Sequence, residues 1–194
     1  MLDFEVFQGK NTFWDQTQGI AVASVLRMVE TVPPGSHLFF DRYFTTMKLM
    51  DTLQAKSFPT TGTLMMNRVH KECKLPGDKM MKKQGRGATV SMVRKKPKLS
   101  ITKWYDNKSV IMASTVHGRD PEDICTRWCK KEKKYVQVKR PVVIKQYNDN
   151  MGGVDLCDHG VDLCDRMLSF YSMSNRTTKW TTNYGYQACR EVQK

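Results

Sequence analysis

The chain has 194 residues, enough for one domain, or for one domain carrying an insertion. Its hydrophobic fraction of 40% supports a core, no run approaches the roughly 18 apolar residues of a membrane span, and the opening MLDFEVFQGK is not a signal peptide. The formal net charge is +13, and six cysteines without even, close spacing favour free thiols in a reducing compartment, nucleus or cytoplasm.

LDFEVFQGK (2–10) alternates apolar and polar residues as far as Gly9 and predicts a strand. IAVASVLRMVETV (20–32) has helical apolar spacing and must stop before Pro33-Pro34-Gly35. His37 to Phe40 has the length of a buried strand and finishes on Asp41-Arg42-Tyr43. Thr45 or Thr46 then caps an amphipathic helix over 47–56, and TTGTLMM (60–66) predicts a further strand. Strand, helix, strand, helix, strand is the rhythm of an α/β layer. A carboxylate such as Asp41, at the C-terminal end of a buried strand, stands where open α/β folds place their ligands. The plain alternative, and the stronger one for this residue taken alone, is that it bonds the turn that leads into the next helix.

The pattern changes after Asn67. Residues 67–140 hold 21 Lys and Arg against 7 Asp and Glu, a net of +14, while the remainder holds 11 against 12. Residues 68–88 are polar, basic and Gly-rich and read as a loop. Three short strands are predicted at 90–97, 100–107 and 109–115, with a turn at Asp106-Asn107. Residues 117–123 read as a loop, followed by a basic stretch around Trp128. Such a block commonly neutralises phosphates, with a solvated basic surface as the plain alternative. The candidate phosphate contacts are Arg68, Lys71, Lys82, Lys83, Arg86 and Arg94, then Lys95, Lys96, Lys103, Arg127, Lys130 and Lys131. Trp104, Tyr105, Trp128 and Tyr135 stand among lysines, where they can stack on bases or form a core. His70-x2-Cys73 and Cys125-x3-Cys129 have no compact zinc spacing, so zinc is not expected.

Residues 142–147 are apolar and lead into NDNMGGVDLCDHGVDLCDRM (148–167). Asn, Asp and Gly at its start are turn chemistry. Asp155 and Asp158 then share one face of a helix, a pattern suited to a hard divalent cation. The plain alternative is a solvated acidic helix start. GVDLCDH (153–159) is repeated at once as GVDLCDR (160–166), which brings Asp162 and Asp165 round to nearly the same face, about 20° away. The duplication lengthens the helix by about 10 Å. Two metal ions sit only about 4 Å apart, so one copy at most belongs to such a site.

FFDRYFTTMKLMDTL (39–53), DFEVFQGK (3–10) and YNDNMGGVD (147–155), read on through the repeat, resemble the transposase domain of the piggyBac family. The resemblance implies an RNase H-like catalytic domain of the DDE superfamily whose aspartates bind two Mg²⁺. In it, water or a 3′-hydroxyl attacks DNA phosphodiesters at transposon ends, with hairpin intermediates and TTAA-targeted insertion. It implies that Asp41 is the second catalytic aspartate, that Asp155 is the third, and that Asp158 accompanies it. Asp162 and Asp165 take those places if downstream packing rather than the Gly-Gly turn sets the register. Asp41 and Asp155 would be the metal ligands.

Three departures follow. The family's first catalytic aspartate is expected just upstream of LDFEVFQGK and has no counterpart here, and Asp3 and Glu5 match no catalytic position. The duplication leaves the register open. The resemblance is expected to fail after Thr181, without the family's cysteine-rich DNA-binding tail.

The expected fold is α/β, an RNase H-like mixed sheet with flanking helices. Residues 1–66 and 141–180 would form the catalytic domain, 67–140 a basic β-rich insertion domain, and 181–194 a divergent tail. The expected function is that of a catalytically impaired, transposase-derived DNA-binding protein. The alternatives are a metal nuclease that draws its missing carboxylate from elsewhere and a truncated, inactive product. Mg²⁺ or Mn²⁺ is the expected cofactor if the site assembles. Double-stranded DNA is the expected partner, with no membrane and with a homodimer admitted.

Overall fold

The structure, a computed structural model, describes residues 19–130 and 132–151. The strand expected at 2–10 and the acidic stretch beyond residue 151 lie outside the described residues.

Helix α1 (Ile20–Val29) buries Val22, Val25 and Val29, three or four residues apart and so on one face. It ends before the two prolines, as their fixed φ and missing N–H require. Strand β1 (Leu38–Phe40) leads through a turn into α2 (Met47–Ala55). The Thr46 side chain accepts from the Leu49 N–H at 3.1 Å, the cap that starts α2. Strand β2 (Thr60–Thr63) then lies parallel to β1, in a register that pairs Phe40 with Gly62. Leu49 and Leu53 of α2 pack with the α1 valines and Phe58, joined by Leu38 and Phe40 of β1.

Among the described residues, Gly62 is the glycine that close approach requires. A Cβ there would collide with Thr45 Oγ1 and come within 3.0 Å of the Phe40 carbonyl oxygen. Thr45 is fully buried beneath the turn, so neither neighbour has room to yield.

Strands β3 (Thr89–Arg94), β4 (Leu99–Tyr105) and β5 (Ser109–Ser114) form an antiparallel meander. The turn at Asp106-Asn107 is where the sequence places it. The meander is not detached from the α/β layer. β5 pairs antiparallel with β2, Thr61 opposite Ser114 and Thr63 opposite Met112, to give one mixed sheet of order β1-β2-β5-β4-β3. The boundary expected near residue 67 therefore does not separate two sheets. Hydrophobic alternation marks a strand but says nothing of which distant edge it joins.

Three elements were hidden in the basic composition. Helix α3 (Asp78–Gln84) lies in the expected loop, its seven residues carrying one fully buried side chain, Met81. Strands β6 (Asp123–Cys129) and β7 (Lys134–Arg140) form a separate two-stranded sheet. Their alternation is disguised because two arginines, Arg127 and Arg140, sit on the half-buried side. Residues 142–151 are helical (α4).

The five-stranded sheet is covered on both faces. Leu99, Ile101, Ile111 and Ala113 meet Met47 and Met50 of α2 and the loop residues Val69, Cys73 and Leu75. The opposite face presents Trp104 and Met112 to Val138 of the hairpin and to Val143 and Ile144 of α4. That double cover is why the first six residues of β4 are all buried.

Candidate functional site

Asp41 follows directly on β1, and the parallel register with β2 sets it beside Thr63. Its backbone carbonyl, not its carboxylate, makes the turn into α2. The carbonyl accepts the N–H groups of Phe44 and Thr45 at 3.1 and 3.2 Å and the Thr45 hydroxyl at 2.9 Å. The turn is clamped from outside by Arg68, whose Nη1 donates to the carbonyls of Arg42, Tyr43 and Thr45 at 2.9, 2.8 and 2.9 Å. With these duties taken, the Asp41 carboxylate is left at the surface, accepting from Thr63 Oγ1 at 3.3 Å.

Helix α4 brings Tyr147 to the same place. Burial pushes its phenol above the ordinary range; the Asp41 charge adds to that shift and a bond with the Thr63 hydroxyl opposes it. Asp41, Thr63 and Tyr147 thus form a small oxygen-only cluster at the C-terminal ends of β1 and β2. Sequence reasoning passed over Thr63 and Tyr147. Tyr147 stands one residue ahead of Asn148, and the turn expected from Asn148 onward gives way to helix α4, which continues through residue 151. Asp155, Asp158, Asp162 and Asp165 lie outside the described residues. Among the described residues no three His, Cys, Asp or Glu side chains converge on a metal-sized site.

The basic candidates divide into two groups. Five of them serve the fold. Arg68 clamps the turn. Arg86 Nε donates to Asp106 Oδ1 at 2.6 Å, and Arg127 Nε approaches the other oxygen of Asp106 at 3.6 Å. Arg94 pairs with Asp51 of α2 and donates from Nε to the Pro97 carbonyl at 3.0 Å. Lys103 is buried, with Nζ 2.8 Å from the Pro76 carbonyl and 2.7 Å from Asp78 Oδ1. Trp104, grouped with these residues for stacking, is also buried and donates from Nε1 to the Lys139 carbonyl at 2.8 Å. All six are engaged within the fold.

The second group is Lys71, Lys82, Lys83, Lys95, Lys96 and Lys130. All are exposed, with no carboxylate partner among the described residues. They lie on α3, on turns and at the hairpin tip, where solvated ammonium groups reach outward. Lys131 lies outside the described residues. Cys125 and Cys129 share the inner side of β6, about 13 Å apart at strand rise, too far to share one ion. Cys73 Sγ lies 3.4 Å from Met92 Sδ, both half-buried, and burial raises its pKa.

Comparison with known proteins adds three findings. Residues 1–188 match the family model described as Transposase IS4, so the match continues past Thr181, where resemblance was expected to fail. The chain is 32% identical over 182 residues to PiggyBac transposable element-derived protein 3 of Homo sapiens, covering 91% of this chain and 29% of that protein. It is 30% identical over 151 residues to PiggyBac transposable element-derived protein 2 of Homo sapiens, covering 77% and 24%. It therefore spans less than a third of the length of these relatives. Among solved structures it resembles a piggyBac transposase synaptic complex with hairpin DNA, with a TM-score of 0.55 and 20% identity over 92% of this chain and 33% of that one.

Proposed function

This chain belongs to the piggyBac-type Transposase IS4 family, and on that premise we propose that it is a transposase-derived DNA-binding protein, nuclear, with an RNase H-like core and at most residual catalysis. The observation that carries the reading is the set of exposed lysines without carboxylate partners among the described residues, at Lys71, Lys82, Lys83, Lys95, Lys96 and Lys130. Ammonium groups not engaged within the fold neutralise backbone phosphates and release counterions, whatever the base sequence. The solved relative's complex with hairpin DNA supports the same ligand class.

The test is duplex binding measured across a salt series. Affinity should fall steeply with salt, and Lys82→Glu with Lys83→Glu should lower both the affinity and the slope, by about one slope unit for each phosphate no longer neutralised. An affinity indifferent to salt would overturn the reading.

The acidic cluster supports a second reading, a metal-dependent nuclease. Transposases of this kind generally use divalent metals. Asp41 presents a hard carboxylate beside the Thr63 hydroxyl, the donor type that Mg²⁺ or Mn²⁺ takes. Asp155 and Asp158, or Asp162 and Asp165, would complete the holding set. Bound there, the metal would supply Lewis-acid polarisation and a lowered water pKa. Thr63 would orient the Asp41 carboxylate. Mg²⁺- or Mn²⁺-dependent nicking of duplex DNA that is abolished in Asp41→Ala would establish this reading. Its absence under either metal would leave binding alone.

A further inference from the structure

The hairpin of β6 and β7 is docked by one face only. Cys125, Val136 and Val138 turn inward against Trp104, Met112 and Val143. Register sets Ile124 opposite Lys139, Thr126 opposite Gln137 and Trp128 opposite Tyr135, so these six side chains share the outer face. There Ile124 is 63% exposed, Trp128 46% and Tyr135 70%. The two rings meet edge to face, with centroids 5.1 Å apart and planes at 68°. Each braces the other while keeping ring surface open to solvent.

The surroundings are cationic. Lys130, Lys133 and Lys139 are exposed and have no carboxylate partner among the described residues, while Lys134 is matched by Glu132 at 2.8 Å. Rings alone would suit an apolar protein partner. Rings beside unpaired ammonium groups match a ligand that carries flat apolar surfaces and negative charge together. A duplex hides its base faces within the stack and offers these rings little. We propose that this face binds single-stranded DNA, with unpaired bases stacking on Trp128 and Tyr135 and with Lys130, Lys133 and Lys139 along the backbone. The proposal deepens the DNA-binding reading and rests on it.

Labelled oligo(dT) and a blunt duplex, titrated by fluorescence anisotropy, test both levels separately. Trp128→Ala should weaken oligo(dT) binding about tenfold, and adding Tyr135→Ala should weaken it further. Duplex affinity should change less than about twofold, because the lysines of α3 and the β3–β4 turn remain. Trp128→Phe should retain most of the binding. Melting curves should stay close to that of the parent chain, since Trp128 lies on the solvent side.

Unchanged oligo(dT) affinity in the double variant, with duplex binding intact, would overturn this proposal alone. Equal losses on duplex and single strand would overturn it too, because stacking would not be the cause. Tighter binding to oligo(U) than to oligo(dT) would make RNA the ligand and reject the assignment to DNA. Self-association lost in Trp128→Ala, with oligo(dT) affinity unchanged, would identify a protein interface instead. No binding of either DNA by the parent chain would overturn the broader reading as well.

Discussion

Lys103-Trp104 in β4 and Arg127-Trp128 in β6 each set a basic residue directly before a tryptophan in the same basic segment. In β4 both are buried, the lysine held by Asp78 and the Pro76 carbonyl and the indole by the Lys139 carbonyl. In β6 the arginine lies half buried beside Asp106, and the indole stands 46% exposed against Tyr135. β4 lies inside a sheet covered on both faces, whereas β6 is half of a hairpin with one face in solvent. A basic residue followed by tryptophan therefore carries no fixed meaning. The number of layers over the strand decides whether it is core or surface.

The sharpest way to break this comparison is to truncate both indoles. Trp104→Ala should cost about 3–5 kcal/mol of unfolding free energy, as large-to-small core substitutions do. Trp128→Ala should cost less than about 1 kcal/mol, a surface change plus one aromatic pair. Denaturant melts of the two variants give the ratio directly, and equal losses would mean that the two strands are equally covered.

Asp106 tests what the second arginine does. Its side chain is 15% exposed and serves both Arg86 and Arg127. Asp106→Ala should cost about 2 kcal/mol, less than the loss of a fully buried pair, because both guanidiniums are partly solvated. It also frees two cations, so duplex affinity at low salt should rise as stability falls.

Acid titration gives the smallest effect. Asp78 is held below the usual carboxylate range first by its hydrogen bond from Lys103, and Asp123 by that from Arg140. A depressed carboxylate contributes stability above its ordinary pKa, and that contribution is lost as pH falls through the folded value. The pKa of His37 is lowered by burial first and by His117 second. Neutral in the fold, it erodes stability as pH falls below about 6.5, because the unfolded chain then takes up the proton. Melts against pH should show a shallow decline from near pH 6.5 and a further one in the carboxylate range. Asp78→Asn should reduce the second and leave the first.

Much of the fold is local enough to read directly. The α1 valines, the Thr46 cap, the strand ending at Asp41 and the turn at Asp106 each rest on residues within a few positions of one another. Helix α3 escaped because one buried methionine among lysines and glycines makes no periodic signal. The β6–β7 hairpin escaped because its half-buried positions include Arg127 and Arg140, whose charges Asp106 and Asp123 compensate. Of the acidic site, Asp41 was legible from its place after an apolar strand. Thr63 and Tyr147 were not, since they reach it by strand pairing and helix docking.

Motif resemblance sufficed for the family, and composition and periodicity sufficed for the α/β rhythm, the basic character of 67–140 and the place of Asp41 at a strand end. They could not say which cations remain free. Arg68 closes a turn 26 residues away, and Arg86 meets a carboxylate 20 residues away. Burial and ion pairing join groups distant in the chain, so a local pattern counts every lysine and arginine alike. Packing separated them, drawing five into the framework and leaving the exposed lysines in solvent.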